Sequence, residues 1–125
     1  MSRSVIFVAA LSGFLAVALG AFAAHGLETL LNPDLLATFH TGVDYHMSHS
    51  LALLGTGILL HFFPKNRTLQ TSAIAFLLGI IVFSGSLYLL SLSGIRWIGA
   101  VTPIGGVAFL VGWVSVASFA WALDR

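Results

Sequence analysis

The run SVIFVAALSGFLAVALGAFAA, from Ser4 to Ala24, contains no charged side chain. A bilayer core about 30 Å thick needs about 20 apolar residues at a helical rise of about 1.5 Å, so this run can cross it as one helix. Three further windows meet the same requirement, at 42–63, 69–92 and 103–122. Arg3 ahead of the first run and Ala21-Phe22-Ala23-Ala24 at its end imitate an export signal. A signal core spans only about 7–15 residues, however, and is not followed by three more spans. The expected fold is therefore all-α, an integral membrane four-helix bundle forming a single domain over residues 1–125.

Composition agrees. Hydrophobic residues make up 58% of the chain and charged residues 7%, against about 25% charged in a soluble protein. A net charge of +1 provides no field for nucleic acid, so the expected surroundings are membrane lipids. The absence of cysteine removes disulfides, thiolate metal sites and thiol nucleophiles together.

The connections follow from turn and cap chemistry. Gly26 suits a helix C-terminus, and Asn32-Pro33 suits the cap and first residue of a short helix lying along the membrane surface. Thr41-Gly42-Val43-Asp44 reads as a capping box opening the second span. Pro64-Lys65-Asn66-Arg67 makes a short charged turn, so spans two and three are antiparallel neighbours. Residues 93–101 form an irregular interfacial connection, and Thr102-Pro103 caps and starts the last helix. Trp97 and Trp121 mark its two interfacial ends.

Four spans place both termini on one side. That side collects Arg3, Lys65, Arg67 and Arg125 and leaves only Arg96 opposite. Because Lys and Arg favour the cytoplasm, both termini are expected inside, in a bacterial inner (plasma) membrane. Small residues recur at helical spacing as Ala9, Gly13, Ala16 and Gly20 on the first span and Gly105, Ala108, Gly112 and Ser115 on the fourth, with shorter pairs at Ala52-Gly55 and Ala75-Gly79. Such stripes let helices approach closely within one bundle or across a homo-oligomer.

His25, Glu28, His40, Asp44, His46, His49 and Arg96 all map to the outer membrane face, with His61 alone at the other end. Tyr45 and His49 are four apart and His46 and His49 three apart, so each pair projects from nearly one side of a helix. His49 also shares a face with Ala52, which directs it into the bundle. The candidate polar pocket is therefore His25, Asp44, Tyr45, His46, His49 and Arg96.

Three chemistries fit such a cluster. The histidines and Tyr45 could simply hydrogen-bond neighbouring helices or carbonyls. His25, His46 and His49 could supply nitrogen ligands to zinc, copper or haem iron, although no partner carboxylate stands at coordinating spacing beyond Asp44 and Glu28. His49, Asp44 and Arg96 could hold a polar solute, a lipid headgroup or a proton, helped by free amides at Thr102-Pro103-Ile104-Gly105-Gly106. Ser84, Ser86 and Ser91 have no acid or histidine beside them in sequence. Ser84, Ser86 and Ser91 are expected to hydrogen-bond within or between helices, and no enzymatic activity is expected.

Four blocks in order, Gly20-Ala21-Phe22-Ala23-Ala24-His25-Gly26-Leu27, Thr41-Gly42-Val43-Asp44-Tyr45-His46-Met47-Ser48-His49-Ser50-Leu51-Ala52-Leu53-Leu54, Phe83-Ser84-Gly85-Ser86-Leu87-Tyr88, and Gly94 with Thr102-Pro103-Ile104-Gly105-Gly106 and Gly112-Trp113, carry a resemblance. Over nearly its whole length the chain resembles the domain of unknown function 423 family of small inner-membrane proteins, whose mitochondrial relatives are called transmembrane protein 256. The resemblance implies four spans and no established activity. Its pattern carries onto His25, Tyr45 and His49. His46 stands where glutamine is frequent in the family and Ser48 where an aromatic residue is frequent, which favours His25 with His49 as the pair that matters. The expected role is a non-enzymatic accessory or structural membrane subunit without a cofactor, within a homo-oligomer or a larger membrane complex. The alternative is a binding or transport element for a small polar ligand, proton or metal.

Overall fold

The computed structural model describes residues Met1–Arg125. Four long helices follow one another: α1 (Ser2–Leu27), α2 (Pro33–Phe62), α3 (Arg67–Ser93) and α4 (Thr102–Ala122). α2 and α3 form the central pair, α1 packs along α2, and α4 packs along α3. A 3₁₀ turn, Arg96–Ala100, joins α3 to α4. The chain is an integral membrane four-helix bundle.

α1 and α3 are apolar enough throughout to span a bilayer, as is the Arg96–Ala122 segment that contains α4; α2 is the more polar helix. It tolerates this because His46, His49, Ser50 and Thr56 face inward, while its charged residues, Asp34 and Asp44, lie exposed toward its N-terminal end. Phe39, Gly42, His46, His49, Ser50, Leu53, Thr56, Gly57 and Leu60 are all buried. Lipid meets instead the exposed rings and branches of Phe7, Phe14, Leu51, Leu89, Leu110 and Val114.

The start of α2 differs from the sequence expectation. Asn32 caps the helix, accepting a hydrogen bond from the Leu35 amide at 2.9 Å, with Pro33 at its first position. No second helix begins at Thr41. The Asn32 helix runs unbroken through the expected interfacial segment, and the Thr41 hydroxyl bonds back to the Ala37 carbonyl at 3.1 Å instead of capping. The polar stretch 33–44 is simply the first three turns of a 30-residue helix. Gly26 does not end α1 either. It lies inside a π turn, Ala23–Leu27, against the Phe22 ring, and the one left-handed residue is Gly94, at φ 71°, closing α3. Thr102 is the first helical residue of α4 and makes no cap bond. Its hydroxyl is spent across the interface on Ser86 Oγ at 2.6 Å.

α3 carries a π turn at Ile80–Ser84, where Gly105 of α4 lies directly against the Phe83 backbone. Two more glycines seat aromatic rings in the same interface: Gly112 receives Phe76, and Gly79 receives Phe109. The α4 stripe is thus packed inside the bundle, with Gly105, Gly112 and Ser115 all buried. On α1 the inward residues are Ala9, Ser12 and Ala16. Gly13 has nothing within 4 Å of where a Cβ would stand. On α2 the close approaches are at Gly42, against the Tyr88 ring, and at Gly57, against Val5 and Ile6, while Gly55 faces open space.

Gly105→Ala must displace backbone, so unfolding in detergent should show a loss of about 1–3 kcal/mol. Gly13→Ala meets open space on a helix and should be neutral or stabilising by up to about 1 kcal/mol. Equal effects at the two positions would contradict this packing.

Candidate functional site

His46 and His49 are both buried, but in different places. Three residues at about 100° each leave them about 60° apart around α2, enough for each ring to enter a different interhelix gap. His46 turns toward α1 and α3, and His49 toward α3 and α4.

The His46 ring sits in a continuous chain of hydrogen bonds. Its Nδ1 lies 2.8 Å from Tyr88 Oη on α3 and its Nε2 lies 3.0 Å from Ser12 Oγ on α1. Ser12 Oγ is 2.6 Å from Ser50 Oγ, which donates to the His46 carbonyl at 2.7 Å. The direction of the chain follows from its last member. A carbonyl can only accept, so the single Ser50 proton is used there; Ser12 must then donate to Ser50, and His46 Nε2–H to Ser12. Nδ1 is left as the acceptor of the Tyr88 proton. Every donor and acceptor has a partner, with the imidazole in its Nε2–H form.

His49 is held as fully. Its Nδ1–H donates to the Tyr45 carbonyl at 2.8 Å, which makes Nε2 the acceptor of the Trp113 indole N–H at 3.1 Å. The ring stacks on Phe109 with centroids 3.5 Å apart and planes 13° apart, and Phe76 closes a further side at 5.8 Å. Tyr45 packs on Phe83 at 4.4 Å with its ring parallel to His49.

The remaining members of the expected pocket are elsewhere. His25, Asp44 and Arg96 are exposed, on the α1 π turn, the outer face of α2 and the 3₁₀ turn respectively, and none bonds to either buried histidine. His25, His46 and His49 do not converge as the metal alternative requires, and no three His, Asp or Glu side chains gather around a common point. The six residues thus form no single pocket. Two of them, with Tyr45, belong to two separate clusters whose other members are Ser12, Ser50, Tyr88, Phe76, Phe109 and Trp113. Ser12 is absent from the sequence expectation, although its spacing of three from Ala9 and four from Ala16, the other inward residues of α1, is a signal that could have found it. Tyr88 and Trp113 lie 42 and 64 residues from their histidines, a pairing that only tertiary structure reveals.

The serines of α3 behave as expected. Ser84 donates to the Gly42 carbonyl of α2 at 2.7 Å, Ser86 to Phe83 within α3, and Ser91 to Leu87. Ser72 adds a bond to the Gly112 carbonyl of α4 at 3.0 Å. The fold does bring one serine hydroxyl to an imidazole, Ser12 to His46, which sequence spacing alone did not suggest. In the resting network this imidazole nitrogen donates, the reverse of what a general base does.

His49→Leu leaves the Trp113 N–H unpaired, and Trp113→Phe removes the donor from His49; each should cost about 1–3 kcal/mol of unfolding free energy. The double variant is expected to cost less than the sum of the two, and strict additivity in a double-mutant cycle would rule out the direct bond.

Comparison with known proteins agrees with this architecture. The family described as a protein of unknown function, DUF423, matches residues 19–106. The UPF0382 membrane protein YwdK of Bacillus subtilis (strain 168) is 43% identical over 111 residues, covering 89% of this chain and 90% of the relative. A UPF0382 membrane protein of Haemophilus influenzae is 44% identical over 117 residues, 94% of this chain and 93% of the relative. The UPF0382 inner membrane protein YgdD of Escherichia coli (strain K12) is 40% identical over 124 residues, 99% of this chain and 94% of the relative. No solved structure matches. Four apolar-faced helices with inward histidines, and relatives of this similarity named as membrane proteins, place the chain in the DUF423 family of membrane proteins of unknown function.

Proposed function

We propose that this protein is a non-enzymatic accessory or structural subunit of the bacterial inner membrane, acting through helix packing beside other membrane polypeptides. One observation carries the reading: every buried side-chain nitrogen and oxygen already has a partner within the chain. Buried ionisable groups in a membrane often mark solute or proton pathways, but a group whose donors and acceptors are all bonded within the chain has none to offer a solute. In this protein they are used between helices and on carbonyls of their own helix. What is left for partners is the lipid-facing surface, with Phe14 of α1 and Leu110 and Val114 of α4 well exposed. Without a hydrophobic driving force between helices in lipid, association depends on shape, and the open space at Gly13 and Gly55 supports partner packing there.

The same reading places both termini in the cytoplasm. Arg3, Lys65, Arg67 and Arg125 lie at one end of the bundle and Arg96 at the other, which is the distribution the positive-inside rule requires. Trp97 and Trp121, 72% and 73% exposed, flank α4 at its two ends, where interfacial rings belong. Arg125 lies over the Trp121 ring at 5.0 Å.

Gentle extraction followed by native mass spectrometry should retain a second polypeptide in a fixed ratio. A monomer or bare homo-oligomer carrying only lipid would reject the accessory role. A fluorescent-protein fusion after Arg125 should be bright in cells and an alkaline phosphatase fusion there inactive, and the opposite pair of results would reverse the orientation.

A further inference from the structure

The end of the bundle that holds both chain termini gathers Arg3, Lys65, Arg67 and Arg125 against a single acid, Asp124, while Glu28, Asp34 and Asp44 lie at the other end with Arg96. Among these cations Arg3 borders two grooves. Gly57 of α2 lets the first turns of α1 come close, against Val5 and Ile6. Beside that crossing runs a groove of about 480 Å³, with Arg3 and His61 at its polar end and Ile6, Phe7 and Ala10 along its apolar length. A second groove, of about 340 Å³, is lined by Arg3, Ser4, Phe7 and Val8. Arg3 and Phe7 belong to both, so the exposed Phe7 ring stands as a ridge between two channels that share one cationic head.

The depth of the grooves matches the boundary between headgroups and acyl chains. Arg3 lies in the first turn of α1, and His61 is the last residue but one of α2, so both stand at the headgroup level. Ala10 is about 10 Å further along α1, inside the hydrocarbon. Neither Arg3 nor His61 has a hydrogen-bond or ion-pair partner within the chain, and no carboxylate lines either groove. Arg3 offers a guanidinium fork, and His61 an imidazole that carries an N–H in its neutral and charged forms alike. Anionic oxygens suit both donors. A headgroup ammonium finds no acid to meet it.

We propose that these grooves bind one acidic phospholipid, its phosphate between Arg3 and His61 and its two acyl chains on either side of Phe7. Two apolar channels leading from one cation match a molecule with one phosphate and two chains, whereas a soluble phosphate has no use for them. The missing carboxylate sets the selectivity. A phosphodiester whose headgroup adds no cation satisfies both donors, and a zwitterionic lipid brings a positive group beside Arg3 with nothing to neutralise it. Basic pockets between membrane helices near the interface hold acidic headgroups in this way, through charge and hydrogen bonds together. The site goes beyond the accessory role, needs no partner polypeptide, and holds whichever way the bundle faces.

The test titrates the full chain in mild detergent and reads bound lipid by native mass spectrometry, with phosphatidylglycerol as probe and phosphatidylcholine of the same acyl chains as control. The first phosphatidylglycerol should bind about fivefold more tightly than phosphatidylcholine, the value of one basic residue beside an anionic lipid. Arg3→Gln and His61→Leu should each remove most of that preference. Arg125→Gln takes one positive charge from the same end but borders neither groove, and should keep it. Ala10→Leu changes no charge and narrows the groove at a lipid-facing position; it should weaken phosphatidylglycerol about fivefold with the melting temperature nearly unchanged. Equal affinity for the two lipids, equal losses in Arg125→Gln and Arg3→Gln, or wild-type affinity in Ala10→Leu would each overturn the proposal. Release of the lipid by excess glycerol phosphate would assign the groove to a soluble phosphate and overturn it as well. The lipid comparison and Ala10→Leu remain decisive even where Arg3→Gln fails to fold.

Discussion

Hydrocarbon offers no water to solvate a buried polar group, and each one left unpaired there costs several kcal/mol. α2 brings two imidazoles and two hydroxyls, His46, His49, Ser50 and Thr56, into that environment. The rest of the bundle is arranged around their satisfaction. α1 supplies Ser12, α3 supplies Tyr88, and α4 supplies Trp113. Each of the other three helices therefore makes at least one bond that fixes its rotation about its own axis, a constraint that apolar packing in lipid does not impose. Individual bonds of this kind average only about 0.6 kcal/mol in membranes. Their value here is directional, since a helix turned by one residue would leave a donor facing acyl chains.

Close packing provides the attraction that these bonds direct. At the α3–α4 interface glycine and phenylalanine alternate across the contact: Phe76 enters at Gly112, Phe109 at Gly79, and the Phe83 backbone meets Gly105. The π turn at Ile80–Ser84 lies in this region, and Phe83 is part of it. Phe109 then has a second role, because the ring that fills Gly79 also stacks on His49. Packing and polar satisfaction are thus coupled through one side chain, and the His49 cluster cannot loosen without opening the α3–α4 seam.

Much of this was legible in the sequence, and for physical reasons. A bilayer sets span length so strictly that the four windows give four helices, three of them apolar enough throughout and α2 more polar, and the Pro64-Lys65-Asn66-Arg67 turn could not lie in lipid. The inward direction of His49 followed from its helical spacing to Ala52. The entry to α2 was misread because Thr41 and Asp44 form a valid cap pattern locally, whereas Asn32 with Pro33 forms one too, eight residues earlier, and a helix needs only one start. Nothing in the sequence says that Thr41 prefers the Ala37 carbonyl. The expected pocket failed on a different scale. Spacing of three puts His46 and His49 on nearly the same side of an isolated helix, yet about 60° is decisive once two other helices flank that side. The pairings of His46 with Tyr88 and of His49 with Trp113 depend on which helices become neighbours, and periodicity carries no information about that.

The two histidines consequently differ in kind, though they share a helix and are both buried. His49 ends a short path, from the Trp113 indole to the Tyr45 carbonyl, and neither end can reverse, because an indole N–H only donates and a carbonyl only accepts. Its tautomer is fixed by its neighbours. His46 lies between hydroxyls, Tyr88 on one side and Ser12 with Ser50 on the other, and a hydroxyl can both donate and accept. The direction of its path is set only by the last bond, to a carbonyl that is already served by its own helix. Of the two, His46 is therefore the one whose tautomer rests on a single remote bond, that of Ser50 to a carbonyl, and it is the one that borders a cleft between α1 and α3.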